Sequence, residues 1–205
     1  MTIRPYIYLA SQSPRRRDLL KQIGISFQIL LLRDDPRRIP DVDETPHANE
    51  IASGYAQRIC STKAKAAWET VLYRNLPLAP VLAADTTVVL DNKILGKPRD
   101  RKDAAEILHL LSGRKHQVLT AVAVILQERL EMRLSLTEVT FAELSEERIQ
   151  RYILGGESHD KAGAYGIQGI AAAFVQRIEG SYSGVVGLPL YETAELLHSF
   201  GYPAP

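Results

Sequence analysis

Several separated stretches of this chain carry residue types suited to handling phosphate. Residues 11–17 read SQSPRRR, with two hydroxyls and three guanidinium groups between a short apolar run, Tyr6–Ala10, and a helical stripe. Backbone N–H groups at a helix start attract anions, and the planar guanidinium fork grips phosphate in pairs of hydrogen bonds. The same residues would also serve as a plain capped helix with solvated arginines. The glycine spacing of a P-loop is absent, which argues against a P-loop nucleotidase.

Residues 81–89, VLAADTTVV, place Asp85 and two threonines inside an apolar run. A carboxylate is rarely buried without a partner, so Asp85 is a candidate metal ligand or general base. Residues 96–100, GKPRD, set Lys97 in a rigid turn from which an ammonium can be aimed. On the helical stretch STKAKA, Lys63 and Lys65 are two positions apart, so at most one faces a given site. Asp41, Asp43 and Glu44 make an acidic stretch, and separated carboxylates can assemble a Mg²⁺ or Mn²⁺ site. In HDKAGAYGIQG, residues 159–169, glycines allow close backbone approach and Gln168 offers both a donor and an acceptor to a nucleobase edge. Tyr165 in the same stretch can stack or pack. The five histidines show no metal-ligand spacing, and the single Cys60, in a helical context, reads as a packing residue.

Strands and helices must position these groups. The pattern predicts a strand over Tyr6–Ala10 and a helix entered through Ser13-Pro14 and stopped at Gly24. A second strand is expected over Phe27–Leu32, a long loop over Arg33–His47 and a helix from about Ala48 to Val71. Val81–Leu90 reads as a strong strand, turning at Asp91-Asn92 into Lys93–Leu95. A helix over Arg101–Leu111 precedes two long strands, Val118–Leu126 and Leu130–Ala142. Ser145 caps a helix that stops at Gly155-Gly156. Beyond it, Ile167–Ile178 reads mostly as strand, Gly180–Gly187 as a turn and short strand, and Leu188–Phe200 as a closing helix. Hairpins mixed with helices predict an α/β fold with a mixed sheet, one domain over residues 1–205 with two lobes around a cleft.

Composition sets the outer bounds. The 205 residues are 45% hydrophobic and 24% charged, in the range of a folded chain that needs no metal or disulfide to hold its core. Twenty-five basic against 24 acidic residues give a net charge of +1, which argues against a generally basic nucleic-acid wrapper. No leader pattern and no apolar run of membrane-spanning length are present, so no membrane partner is expected and the cytoplasm is the expected location.

The ordered set SQSPRR, DVDE, KAKA, AADT, GKPRD, LSGRKHQVLTAV, DKAGAYGIQG and GSYSGVVGLPL resembles the Maf family of nucleoside triphosphate pyrophosphatases, septum formation inhibitor Maf-like proteins, over about residues 6–200. That resemblance implies an elongated mixed sheet with flanking helices and a central cleft, similar to the inosine triphosphate pyrophosphatases. It implies hydrolysis of a nucleoside triphosphate to the monophosphate and pyrophosphate with a divalent cation, Mg²⁺ or Mn²⁺. The AYGIQG form resembles the branch acting on dTTP and UTP; a branch acting on 7-methyl-GTP, a broad modified-nucleotide activity and a non-catalytic division regulator are the alternatives. By position the resemblance makes Asp85 the proton acceptor, and Arg15, Thr86 and Gln168 discriminators of substrate. Ser11, Ser13, Arg16, Lys63 and Lys97 become groups on the phosphate side. Glu44, preferred over Asp43, becomes a catalytic acid that would share the metal with Asp85. Relatives in the family are often homodimers, so a homodimer is an expectation here too.

Overall fold

The computed structural model describes residues 5–32 and 42–204. Most of the expected long loop, residues 33–41 with Asp41, lies outside the described residues. The chain runs β1 (Ile7–Leu9), α1 (Pro14–Gln22), β2 (Phe27–Ile29), α2 (Ala52–Tyr73), β3 (Val81–Leu90), β4 (Lys93–Leu95), α3 (Arg101–Leu111), β5 (Lys115–Leu126), β6 (Arg129–Phe141), α4 (Glu146–Leu154), β7 (Val175–Glu179), α5 (Tyr182–Val186) and α6 (Leu190–Ser199). Seven strands form one sheet in the order β2-β1-β3-β5-β6-β7, with β4 also on β3. β1 pairs in parallel with β2 and β3, whereas the β3-β5-β6-β7 half is antiparallel. This is the mixed α/β sheet that the interleaving of hairpins and helices implies.

Alternation along β3 divides the core between the two faces of the sheet. Val81, Ala83 and Val89 pack with Ala56, Cys60, Ala64 and Trp68 of α2. Leu82, Ala84, Val88 and Leu90 pack on the other face with Leu20, Leu108, Ile149 and Leu197, from α1, α3, α4 and α6. Cys60 is fully buried against the Ala83 carbonyl, and burial pushes its thiol up to about 12. That places it in a packing role, since a thiol held so far above neutrality forms almost no nucleophilic thiolate. The turn at Asp91-Asn92 has positive φ at both residues, 49° and 62°, as a tight hairpin needs.

Two segments differ from the strand pattern that their residues suggest. Within Ile167–Ile178 only Val175–Glu179 carries a strand; Ile170–Phe174 forms a 3₁₀ turn instead. The Glu157 carboxylate accepts from the Ile170 N–H at 3.1 Å, and the run of three alanines has no β-branching to favour an extended chain. Within Gly180–Gly187 the expected short strand is the helix α5. Ser181 caps it by accepting from the Gly184 N–H at 3.0 Å, which outweighs the strand preference of Tyr182, Val185 and Val186. The helix of residues 48–71 begins later, at Ala52, after Asn49 takes a positive φ.

His116 lies inside an aromatic cluster, edge-on to Phe141 and Tyr165 at 4.9 and 5.5 Å. Its Nε2 is 2.9 Å from the Tyr165 hydroxyl, and burial lowers its pKa to about 4. Between pH 6.5 and 4 the unfolded chain takes up a proton here that the folded chain refuses. Stability should therefore fall as pH drops through that window, by on the order of 3 kcal/mol at its lower end. Urea denaturation at pH 7 and pH 4.5 should show a smaller acid loss for His116→Phe than for the parent chain; equal losses would remove His116 as the cause.

Candidate active site

A gap in the sheet edge creates the site. β1 covers β3 only at Val81 and Leu82, and β4 covers it only from Val88 to Leu90. Between them, Ala83–Thr87 have a strand neighbour on the β5 side alone. A cavity of about 910 Å³ opens there, floored by Asp85, Thr86, Thr87 and Val88 and walled by the β1–α1 turn, residues 42–46, α2, the Gly96-Lys97 turn and residues 160–167. Its position, beyond the end of a parallel strand and beside a helix start, is where α/β sheets place ligands.

Neighbouring residues of β3 reach it from opposite faces. Asp85 and Thr87 point to the α2 side, with Thr87 Oγ1 3.4 Å from Asp85 Oδ2. From α2, Lys63 brings its Nζ to 2.7 Å from Asp85 Oδ1 and 2.6 Å from Glu44 Oε1. Lys65, two positions on, is exposed and turned away. Burial alone would lower the Lys63 ammonium, but Asp85 and then Glu44 outweigh it and hold it above its ordinary value. Burial likewise pushes Glu44 up, and Lys63, helped by Lys97 and Arg16, more than reverses this, leaving the carboxyl below the usual range. The Lys63 ammonium thus bridges the two carboxyl groups. The segment bearing Glu44 is itself pinned to α2. Tyr55 Oη donates to the Glu44 carbonyl at 2.9 Å, and Arg58 grips both oxygens of Glu50 at 2.6 and 2.7 Å while donating to the Thr45 carbonyl. Asp43, which also lines the cavity, accepts from the Thr45 N–H through Oδ1 at 2.9 Å.

On the opposite side the β1–α1 turn supplies Ser11, Ser13, Arg15 and Arg16, all of which line the cavity. Ser13 caps α1, accepting from the Arg16 N–H at 3.5 Å. The Arg16 guanidinium has three anchors: Nε donates to the Gly187 carbonyl at 2.8 Å, Nη1 to Ser11 Oγ at 3.2 Å and Nη2 to Thr86 Oγ1 at 3.3 Å. Burial lowers its pKa, and Asp85 opposes the shift. Lys97 is exposed at the rim. The turn that carries it is tied down by Gly163, whose N–H donates to the Gly96 carbonyl at 3.1 Å. Gly163 has φ +70°, and a Cβ there would lie 2.9 Å from both Val88 methyl carbons, so only glycine fits.

The structure thus brings Ser11, Ser13, Arg15, Arg16, Glu44, Lys63, Asp85, Thr86 and Lys97 to one cavity. Gln168 is not among its walls. Tyr165, Gly166 and Ile167 line the cavity, and the next residue turns out, leaving Gln168 exposed. Asp160 and Lys161 line the cavity although residue types and spacing did not single them out. Lys161 donates to Asp160 at 2.6 Å and to the Glu157 carbonyl at 2.7 Å. The stretch stood out for its glycines, and the adjacent acid–base pair was the available signal. The Gly187 carbonyl that holds Arg16 had no signal, since any residue type carries a carbonyl.

Among the described residues no three His, Cys, Asp or Glu side chains group to hold a metal. Two carboxylates do converge on one cationic point, now taken by Lys63. An all-oxygen pair of this kind fits Mg²⁺ or Mn²⁺, which commonly take one or two carboxylates and complete their shell with water and substrate phosphate.

Sheet and gap together define an α/β protein whose edge cavity sets basic side chains beside a buried carboxylate. The profile described as Maf-like protein matches residues 6–200, and the chain belongs to that family. It is similar to the dTTP/UTP pyrophosphatase of Nitrosomonas europaea, 60% identical over 195 residues that cover 95% of this chain and 94% of that one. It is similar also to the dTTP/UTP pyrophosphatase of Aromatoleum aromaticum, 54% identical over 98% of each chain, and to that of Dechloromonas aromatica, 50% identical over 96% of this chain and 98% of that one. No helix among the described residues is long and apolar enough to cross a membrane.

Proposed function

We propose that this protein hydrolyses dTTP and UTP to the nucleoside monophosphate and pyrophosphate. The observation that carries this reading is the Glu44–Lys63–Asp85 bridge facing the thrice-anchored Arg16 across one cavity. The names of relatives at 50–60% identity support the choice of substrate.

Arg15, Arg16, Lys63 and Lys97 receive the triphosphate and withdraw charge as it builds on the phosphates. When triphosphate oxygens enter, they compete with the two carboxylates for the Lys63 ammonium, and Asp85 is freed to accept a proton. Water attacks the α-phosphorus, its proton passes to Asp85, and the bond from the α-phosphorus to the bridging oxygen breaks to release pyrophosphate. Glu44 and Asp85 would hold a divalent cation, Mg²⁺ or Mn²⁺, which supplies charge neutralisation and acidifies water. The base end falls to residues 160–168. Gln168 lies exposed just outside the wall, next to the cavity-lining Ile167, so pairing its amide with a pyrimidine carbonyl and N3–H requires this segment to shift inward when substrate binds.

A panel of nucleoside triphosphates with Mg²⁺ or Mn²⁺, scored for pyrophosphate, tests this. Fast release from dTTP and UTP and slow release from CTP and purine triphosphates is the expected result, and Gln168→Ala should narrow that difference more than it slows dTTP. Release of single phosphates, or equal rates on every triphosphate, would sink the assignment.

A further inference from the structure

A buried hydroxyl that does not line the cavity is linked to the group that does. Thr120 of β5 is 1% exposed and lies directly across the sheet from Thr86. Its Oγ1 is 2.8 Å from the Gly184 carbonyl oxygen of α5 and 3.1 Å from Thr86 Oγ1. A threonine hydroxyl has one proton, and a carbonyl can only accept. The Thr120 proton therefore goes to Gly184, the shorter contact, and Thr86 must supply the proton between the two hydroxyls. Thr86 is then left with lone pairs for Arg16, which donates to it through Nη2. The chain of donors runs in one sense, from Arg16 to Thr86 to Thr120 to Gly184. The same short helix ends at Gly187, whose carbonyl holds Arg16 Nε.

We propose that Thr120 is a positioning residue of this active site: by fixing the direction of the Thr86 hydroxyl it orients the Arg16 guanidinium that receives the phosphates. The proposal rests on the function given above. It adds a residue outside the cavity wall, and it explains why Thr86 presents an acceptor and not a donor to the site. A Thr86 hydroxyl free to rotate could point its proton at Arg16, and the guanidinium would lose one of its three anchors.

Thr120→Val keeps the shape and removes the hydroxyl, whereas Thr120→Ser keeps the hydroxyl. With folding checked by thermal melting, Thr120→Val should lower kcat/KM on dTTP about tenfold, through both kcat and KM, and Thr120→Ser should regain most of it. The Thr86→Val/Thr120→Val pair should be no slower than Thr86→Val alone, because the second change acts only through the first. Calorimetry with inorganic tripolyphosphate gives a readout independent of turnover, in which Thr120→Val should bind more weakly than the parent and Thr120→Ser about as well. Parent-like kinetics or tripolyphosphate affinity in Thr120→Val, a serine variant no better than valine, or losses that multiply in the double variant would each overturn the proposal. If the parent chain hydrolyses no triphosphate, the proposed activity fails, and the tripolyphosphate affinities still decide the role of Thr120.

Discussion

Asp85→Asn should yield a folded protein whose turnover of dTTP is lower by roughly 10²–10⁴-fold, the usual contribution of a general base. The substitution preserves size and shape on a strand whose ladder to β5, with Asp85 opposite Ala121, does not depend on the side chain. It also leaves no stranded charge. Lys63 bonds both Asp85 and Glu44, so removing one carboxylate leaves the ammonium paired with the other at 2.6 Å. The harsher Asp85→Ala opens a void beside Thr87 and confounds loss of chemistry with loss of packing. Steady-state release of pyrophosphate, read beside a melting curve, makes the measurement. A variant that melts like the parent and keeps full activity would show that Asp85 carries no proton in the reaction.

The residues that made Asp85 visible in the sequence also show why the site was partly legible. An acid flanked by apolar residues on a strand must have a partner, and the structure supplies one from α2. Helix geometry forced a choice between Lys63 and Lys65, and only Lys63 faces the site. These are local arguments about burial and direction, and they survive folding. The gap along β3 is different in kind. Its β4 side is a local hairpin that the Asp91-Asn92 turn announces, but its other side depends on where β1, far earlier in the chain, stops along β3, and no local pattern encodes that register. The helix α5 shows the limit from another side. Its tyrosine and valines favour strand, while one capping serine and the contacts of a closed fold decide for helix. Gln168 follows the same rule: its residue type suits a base edge, but its direction is set by the 3₁₀ turn that Glu157 anchors two residues later.

Replacing Arg16 with lysine should cost roughly 10²–10³ in kcat/KM, nearly as much as replacing it with alanine, although the charge is kept. Arg16 does three things at once. Its Nε is held by the Gly187 carbonyl, its Nη1 by Ser11 and its Nη2 by Thr86, so the guanidinium plane is fixed before any ligand arrives. A lysine ammonium is a single point with three rotatable donors and a different reach; bonded to Gly187 it cannot also span Ser11 and Thr86. The preorganised fork, not the positive charge as such, is therefore the quantity under test. Around Arg16 the other cations, Arg15, Lys63 and Lys97, still line the cavity and can contact the phosphates, so binding of the triphosphate should suffer less than turnover. The comparison to make is kcat and KM on dTTP for the parent chain, Arg16→Lys and Arg16→Ala. If the lysine variant recovers most of the parent's kcat, charge alone suffices at this position, and the anchoring by Gly187, Ser11 and Thr86 has no part in the reaction.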